Sequence, residues 1–138
     1  MKTVFADTLF WIARVRPRDP WRSPAREALT KLGDVRVLTT DEVLNELLAA
    51  LSRGGPVLRE KGVDTVRLLL RSPMVTVVPQ THDTFLEALN RYQARGDKAY
   101  SLTDCASMNA MDAYGIREIL TSDRHFDQEG NVVLIERR

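Results

Sequence analysis

Short apolar runs rich in β-branched residues alternate along this chain with longer segments of helical periodicity. A strand–helix–strand order of this kind builds a mainly parallel sheet with helices packed on it, so the chain reads as α/β. Thr3–Ala6 is the first strand and stops at Asp7. Thr8–Ala13 opens a helix that Pro17 and Pro20 break within Arg14–Arg22, since proline removes a donor and clashes with the preceding turn. Ser23–Leu32 resumes the helix, with Pro24 in its first turn and Gly33 as its stop. Val35–Thr39, Met74–Val78, Glu118–Ser122 and Val132–Ile135 complete the strands. The Met74–Val78 run is continuous enough to predict burial on both faces.

Between strands the helix signals are local. Thr39–Thr40–Asp41–Glu42 resembles a capping box and opens Asp41–Arg53, which Gly54–Gly55 ends. Val43, Leu44, Leu47, Leu48 and Leu51 form its apolar face. Pro56–Arg71 is a further helix, expected to kink or split near Gly62, and His82–Arg95 is another, ended by Gly96. Ser101–Leu102–Thr103–Asp104 is a second capping-box pattern, and its helix runs to Tyr114 with Gly115 beyond. Leu102, Cys105, Ala106, Asn109, Ala110 and Ala113 share one side of that helix, small enough to lie close against a sheet. With 138 residues, 43% of them hydrophobic, and no long linker, the chain is expected to form one domain over residues 1–138.

A net charge of +1 gives no whole-molecule field to recruit nucleic acid, so any RNA contact falls to local arginines. The lone Cys105 cannot form an internal disulfide, which fits a reducing cytoplasm, and it reads as a small core residue rather than a nucleophile. Met1–Phe10 lacks the pattern of a signal peptide, and no run approaches the about twenty apolar residues of a membrane span. No glycine-rich phosphate loop is present.

The chemistry rests on acids. Asp7 and Asp123 stand where apolar strands stop, and open parallel sheets gather ligands at the carboxyl ends of their strands. Asp104 lies in the first turn of a helix that a right-handed crossover brings to the same edge. Glu46, on the helix after the second strand, is a fourth candidate. Carboxylates a few ångströms apart repel, and a hard divalent cation such as Mg²⁺ removes that conflict. Each acid also has a plainer role: Asp7 and Asp104 as helix caps, Asp123 as a turn aspartate, Glu46 as a solvated surface residue. Thr8, Thr103 and Ser122 flank the acids and are candidates to hold them by hydrogen bonds. Arg14 and Arg16, in a run with Arg18 and Arg22, and Arg124 beside Asp123 are candidate phosphate contacts. His125 reads as a turn or packing residue.

Four segments carry a resemblance to a known family: Val4–Phe5–Ala6–Asp7–Thr8, Thr39 to Leu47, Asp97 to Cys105, and Leu120 to Phe126 followed by Gly130. Together, and in this order, they resemble the PIN-domain family and within it the VapC-type toxins. The resemblance implies a three-layer α/β/α sandwich with a mainly parallel sheet of about five strands. It implies Mg²⁺- or Mn²⁺-dependent cleavage of RNA, a homodimer, and a VapB-like antitoxin that blocks the site. It maps the catalytic acids onto Asp7, Glu46, Asp104 and Asp123, with Asp7, Asp104 and Asp123 holding metal, and it places the glutamate at Glu46 rather than Glu42. Two other classes compete. One is a non-catalytic RNA- or protein-binding module of the same fold, or an RNA-processing nuclease without a toxin role. The other is a receiver-like phosphotransfer domain, disfavoured because the third strand ends at Val78–Pro79 without an acid.

Overall fold

The computed structural model describes residues 1–136; Arg137 and Arg138 lie outside the described residues. Every strand runs parallel to its neighbours, in the order β3-β2-β1-β4-β5. β1 (Thr3–Ala6) is central and buried over its last three residues. Val4 faces Val37 of β2 (Arg36–Thr40) on one side, and Phe5 and Ala6 face Ile119 and Leu120 of β4 (Glu118–Leu120) on the other. β3 (Val75–Val78) and β5 (Val132–Val133) form the edges.

α1 (Thr8–Val15) and α2 (Arg22–Leu32) connect β1 to β2, and α3 (Asp41–Leu51) and α4 (Pro56–Arg71) connect β2 to β3. α5 (His82–Ala94) and α6 (Leu102–Tyr114) return the chain across the sheet to β4, and a 3₁₀ helix (Arg124–Glu129) precedes β5. Right-handed crossovers in opposite directions put α1–α4 on one face and α5–α6 on the other, a three-layer α/β/α sandwich. Phe5, Leu38, Ile119 and Leu120 from the sheet pack with Phe10, Leu47 and Leu51 and with Met108, Met111 and Phe126, all nearly free of solvent. Burying each such side chain contributes about 1.5–3 kcal/mol.

Several local expectations are corrected. α4 is one continuous helix, with no break at Gly62. The glycine sits at a close contact instead: a Cβ there would meet Leu51 Cδ1 at 2.9 Å and Leu48 Cδ2 at 3.2 Å, so α4 lies directly against the leucine side chains of α3, whose flexible ends would have to shift to admit a methyl. β3 is not buried on both faces; it is an edge strand with Thr76 exposed, since only β2 pairs with it. β4 stops at Leu120 rather than Ser122, because the Thr121 N–H turns back to the Ile119 carbonyl. β5 is short, yet the Leu134 and Ile135 N–H groups still donate to the carbonyls of Ile119 and Thr121. The Thr39–Glu42 pattern is not a full capping box: Thr40 alone caps α3, accepting from the Val43 N–H. Leu48 on α3 and Ala113 on α6 are exposed. The second capping box does form, between Ser101 and Asp104. Among the described residues no helix is long and apolar enough to cross a membrane.

Candidate active site

Asp7 follows the central strand, and its N–H extends the pairing with β4 by donating to the Leu120 carbonyl. It occupies the position before α1, but its carboxylate makes no capping bond. The side chain is 7% exposed, and its Oδ2 accepts from the Thr121 hydroxyl at 3.0 Å. Burial pushes its carboxyl up to about 7; the charges of Asp104 and Glu46 add to the rise, while the Thr8 backbone N–H and the Thr121 hydroxyl oppose it.

Glu46 reaches the same neighbourhood from α3. The Thr8 hydroxyl donates to its Oε1 at 2.6 Å, so the first residue of α1 fixes the glutamate beside Asp7. Glu42 turns elsewhere, into a groove with Asn45, Gln80, Leu102 and Thr103, where burial raises its carboxyl.

Asp104 is half capping residue and half site residue. Its Oδ2 accepts from the Ser101 N–H at 3.0 Å and its own N–H donates to Ser101 Oγ. Burial raises its carboxyl, helped by the charges of Asp123 and Glu46. Asp123 caps the 3₁₀ helix through Oδ1, which accepts from the His125 N–H at 2.9 Å, and its N–H donates to Thr121 Oγ1. His125 Nδ1 lies 3.3 Å from Asp123 Oδ1 and 3.9 Å from Asp104 Oδ2, and it is buried without a hydrogen-bond partner.

Ligand atoms of Asp104, Asp123 and His125 thus lie within 4.8 Å of one another. In an octahedron with bonds of about 2.1 Å, adjacent donors stand about 3 Å apart, so this set needs only small shifts to share one ion. The orphaned imidazole nitrogen and the uncompensated carboxylates fit a divalent cation. Asp7 and Glu46 add two acids whose charges are felt by Asp104 or by each other, though they lie outside that tight group.

Two residues of the site escaped sequence reasoning: His125, read there as a turn or packing residue, and Thr121. Thr121 is fully buried, and its hydroxyl donates to Asp7 while accepting from Asp123, linking two acids 116 positions apart in the chain. A polar β-branched residue between a buried strand and an acid was the available signal. Of the three flanking hydroxyls read from sequence, Thr8 binds an acid, whereas Thr103 lines the adjoining groove and Ser122 makes no side-chain hydrogen bond among the described residues. Arg16 and Arg124 are committed locally, to Asp19 and Asp127 three positions on. Arg14 lies over the Phe10 ring at 5.6 Å.

A second polar cluster supports the 3₁₀ helix. Burial opposes ionisation of Glu129, yet bonds from Arg95, Arg91 and Tyr100 hold its carboxyl down at about 2. Arg91 also donates to Asn109 and Asp112, tying α5 to α6. The Tyr100 ring stands 5.5 Å from that of His125, so this cluster backs the segment that carries Asp123.

The comparisons agree with this arrangement. The PIN domain family profile matches residues 4–130. No curated protein sequence matches the chain. Among solved structures, the VapC20 toxin of Mycobacterium tuberculosis, described as cleaving the sarcin–ricin loop, is similar with a TM-score of 0.83 and 26% identity, covering 96% of this chain and 99% of that one. VapBC2 of Rickettsia felis, solved with a promoter DNA fragment, matches with a TM-score of 0.61 and 14% identity over 96% of each chain. A FitAcB structure from Neisseria gonorrhoeae matches at 0.60 and 15%, covering 99% of this chain and 97% of that one. The last two speak for the fold alone. On the profile match and the four acids brought to one sheet edge, the chain belongs to the PIN domain family.

Proposed function

We propose that this protein is a metal-dependent endoribonuclease acting as the toxin of a toxin–antitoxin pair. The observation that carries the reading is the meeting of Asp7, Glu46, Asp104 and Asp123, from four separate elements, at the carboxyl edge of β1 and β4. Evolution of a structural cap does not require such a group: buried like charges are costly, and they persist where a cation is to be held. The likeness to the sarcin–ricin-loop-cleaving VapC20 toxin, over nearly the whole of both chains, supports RNA as substrate.

In this reading Asp7, Asp104 and Asp123 would hold Mg²⁺ or Mn²⁺, with His125 offering a further donor. When bound, the ion would supply the positive charge that admits a phosphodiester and acidifies water. The chain does the rest. Thr121 ties the Asp7 carboxylate to the backbone N–H of Asp123, and Thr8 fixes Glu46, which accepts a proton from the attacking water. Burial of Asp7 and Asp104 excludes bulk water and strengthens each electrostatic contact.

The partners follow from the same likeness. The resemblance to VapC-type toxins and the likeness to the VapC20 toxin make a VapB-like antitoxin the expected partner here. Homodimerisation is supported by Phe85, Leu86, Leu89 and Tyr92, which form an exposed apolar stripe along α5. The test is direct: purified protein with an RNA panel that includes sarcin–ricin loop RNA, plus Mg²⁺ or Mn²⁺, with EDTA as control. Metal-dependent cutting that Asp7→Asn and Asp104→Asn abolish is expected. RNA binding with no metal-dependent cutting would favour the non-catalytic module.

A further inference from the structure

α1 ends beside α2, and there Arg14, Arg22 and Arg26 line one small cavity together with Ala13. No ion pair joins any of the three to a carboxylate among the described residues. Burial depresses the Arg14 guanidinium first, and the neighbouring charges of Arg26 and Arg22 depress it further. Three like charges brought together, with no ion pair to an acid among the described residues, form a site complementary to an anion.

Part of the cluster has a structural reason. Arg22 donates to the carbonyls of Arg14 and Arg16, satisfying the end of α1, where a cation also complements the helix dipole. That accounts for one guanidinium and not for three. The Arg14 guanidinium stands over the Phe10 ring, and the Arg26 guanidinium has no ion-pair or hydrogen-bond partner among the described residues, its hydrogen bond from Thr30 being to the backbone carbonyl. The cavity measures about 90 Å³ and is lined by three guanidinium-bearing residues and one alanine, a setting that suits a phosphate group better than an apolar base face.

Its location fits a polymer substrate. Arg14 follows Asp7 by seven residues, about two helical turns or roughly 10 Å along α1. At about 3.4 Å of axis per nucleotide, that is a few nucleotides of one strand. We propose that Arg14, Arg22 and Arg26 form a phosphate-binding site that grips the RNA backbone a few nucleotides from the scissile bond. The proposal rests on the ribonuclease reading for its substrate, and it sets Arg22 and Arg26 beside Arg14; Arg16 and Arg124, each paired with a carboxylate three positions on, stand outside this cavity.

The experiment compares the wild type with Arg14→Gln/Arg26→Gln, leaving Arg22 to hold its carbonyls. Cleavage kinetics with Mn²⁺ are measured across a salt series. KM is expected to rise about tenfold with kcat changed less than about twofold, and the slope of log(kcat/KM) against log[salt] to become shallower by about 0.7. A second arm measures binding of a fluorescent single-stranded RNA in EDTA, where the double variant is expected to bind about tenfold more weakly. This arm separates the two ideas: a wild type that never cuts RNA refutes the nuclease reading, while the binding difference still reports the phosphate site. Unchanged KM and unchanged metal-free affinity overturn the proposal, as does a loss confined to antitoxin affinity, which would assign the cluster to a protein partner. If the double variant does not fold by circular dichroism, Arg26→Gln alone, at an exposed position, carries the same test.

Discussion

Replacing Asp7 by Asn tests the electrostatics of the site without requiring activity. The folded protein holds the Asp7 carboxyl at about 7, against 3.8 for an ordinary aspartate, so between those values the native state keeps a proton that the unfolded chain releases. Stability of the metal-free protein therefore falls as pH rises from about 4 to about 7, and stays low above that. A gap of about three pH units corresponds to about 4 kcal/mol. Asn is neutral at every pH, and its amide oxygen can still accept from Thr121. In EDTA, Asp7→Asn is expected to melt about 10–15 °C above wild type at pH 8 and within a few degrees of it near pH 4, given the usual unfolding entropy for a chain of this length. Mn²⁺ should stabilise wild type more than the variant and narrow the difference. Differential scanning calorimetry at the two pH values, with and without Mn²⁺, measures all four cases. A melting shift that is the same at both pH values, or a variant less stable than wild type at pH 8, would refute the claim that an ionised, uncompensated Asp7 strains the fold.

Three further outcomes are expected. Thr121→Val leaves an Asp7 oxygen without its donor, so cleavage should fall about 10–100-fold and stability by about 1–3 kcal/mol, read from kinetics and urea denaturation. Glu46→Gln should reduce kcat strongly while Glu42→Gln, which faces the neighbouring groove, leaves it close to wild type; equal losses would undo the choice between the two glutamates. Gly62→Ala gains helix propensity worth about 1 kcal/mol, and the atoms in its way, Leu51 Cδ1 and Leu48 Cδ2, are flexible side-chain ends, so denaturant unfolding should stay within about 1 kcal/mol of wild type with activity per folded molecule retained; a loss above about 3 kcal/mol would show that the contact cannot give.

The order of strands and helices was legible because β-branched runs, prolines and capping pairs act locally. The edge position of β3 was not, since Met74–Val78 reads as apolar whether it has one neighbour or two. Gly62 looked like a helix breaker because its use, a close approach of α3 to α4, depends on residues far from it in the chain. The acids at strand ends could be found from sequence; Glu46 was mapped by the family resemblance alone, since its bond from the Thr8 hydroxyl beside Asp7 forms only once α1 packs on α3. The bridge at Thr121 could not, because its two partners come together only once β1 and β4 pair. The local pairing of Arg16 with Asp19 and of Arg124 with Asp127 was visible at a spacing of three, as ordinary surface ion pairs.

The acids enter from opposite layers of the sandwich: Glu46 belongs to the α1–α4 face and Asp104 to the α5–α6 face, with Asp7 at the seam. Their separation is thereby a gauge of how the two helical layers sit across the sheet. An inhibitor that shifts one layer against the other by an ångström would spread the ligands beyond the reach of a single small ion, silencing the enzyme from a distance and sparing every carboxylate.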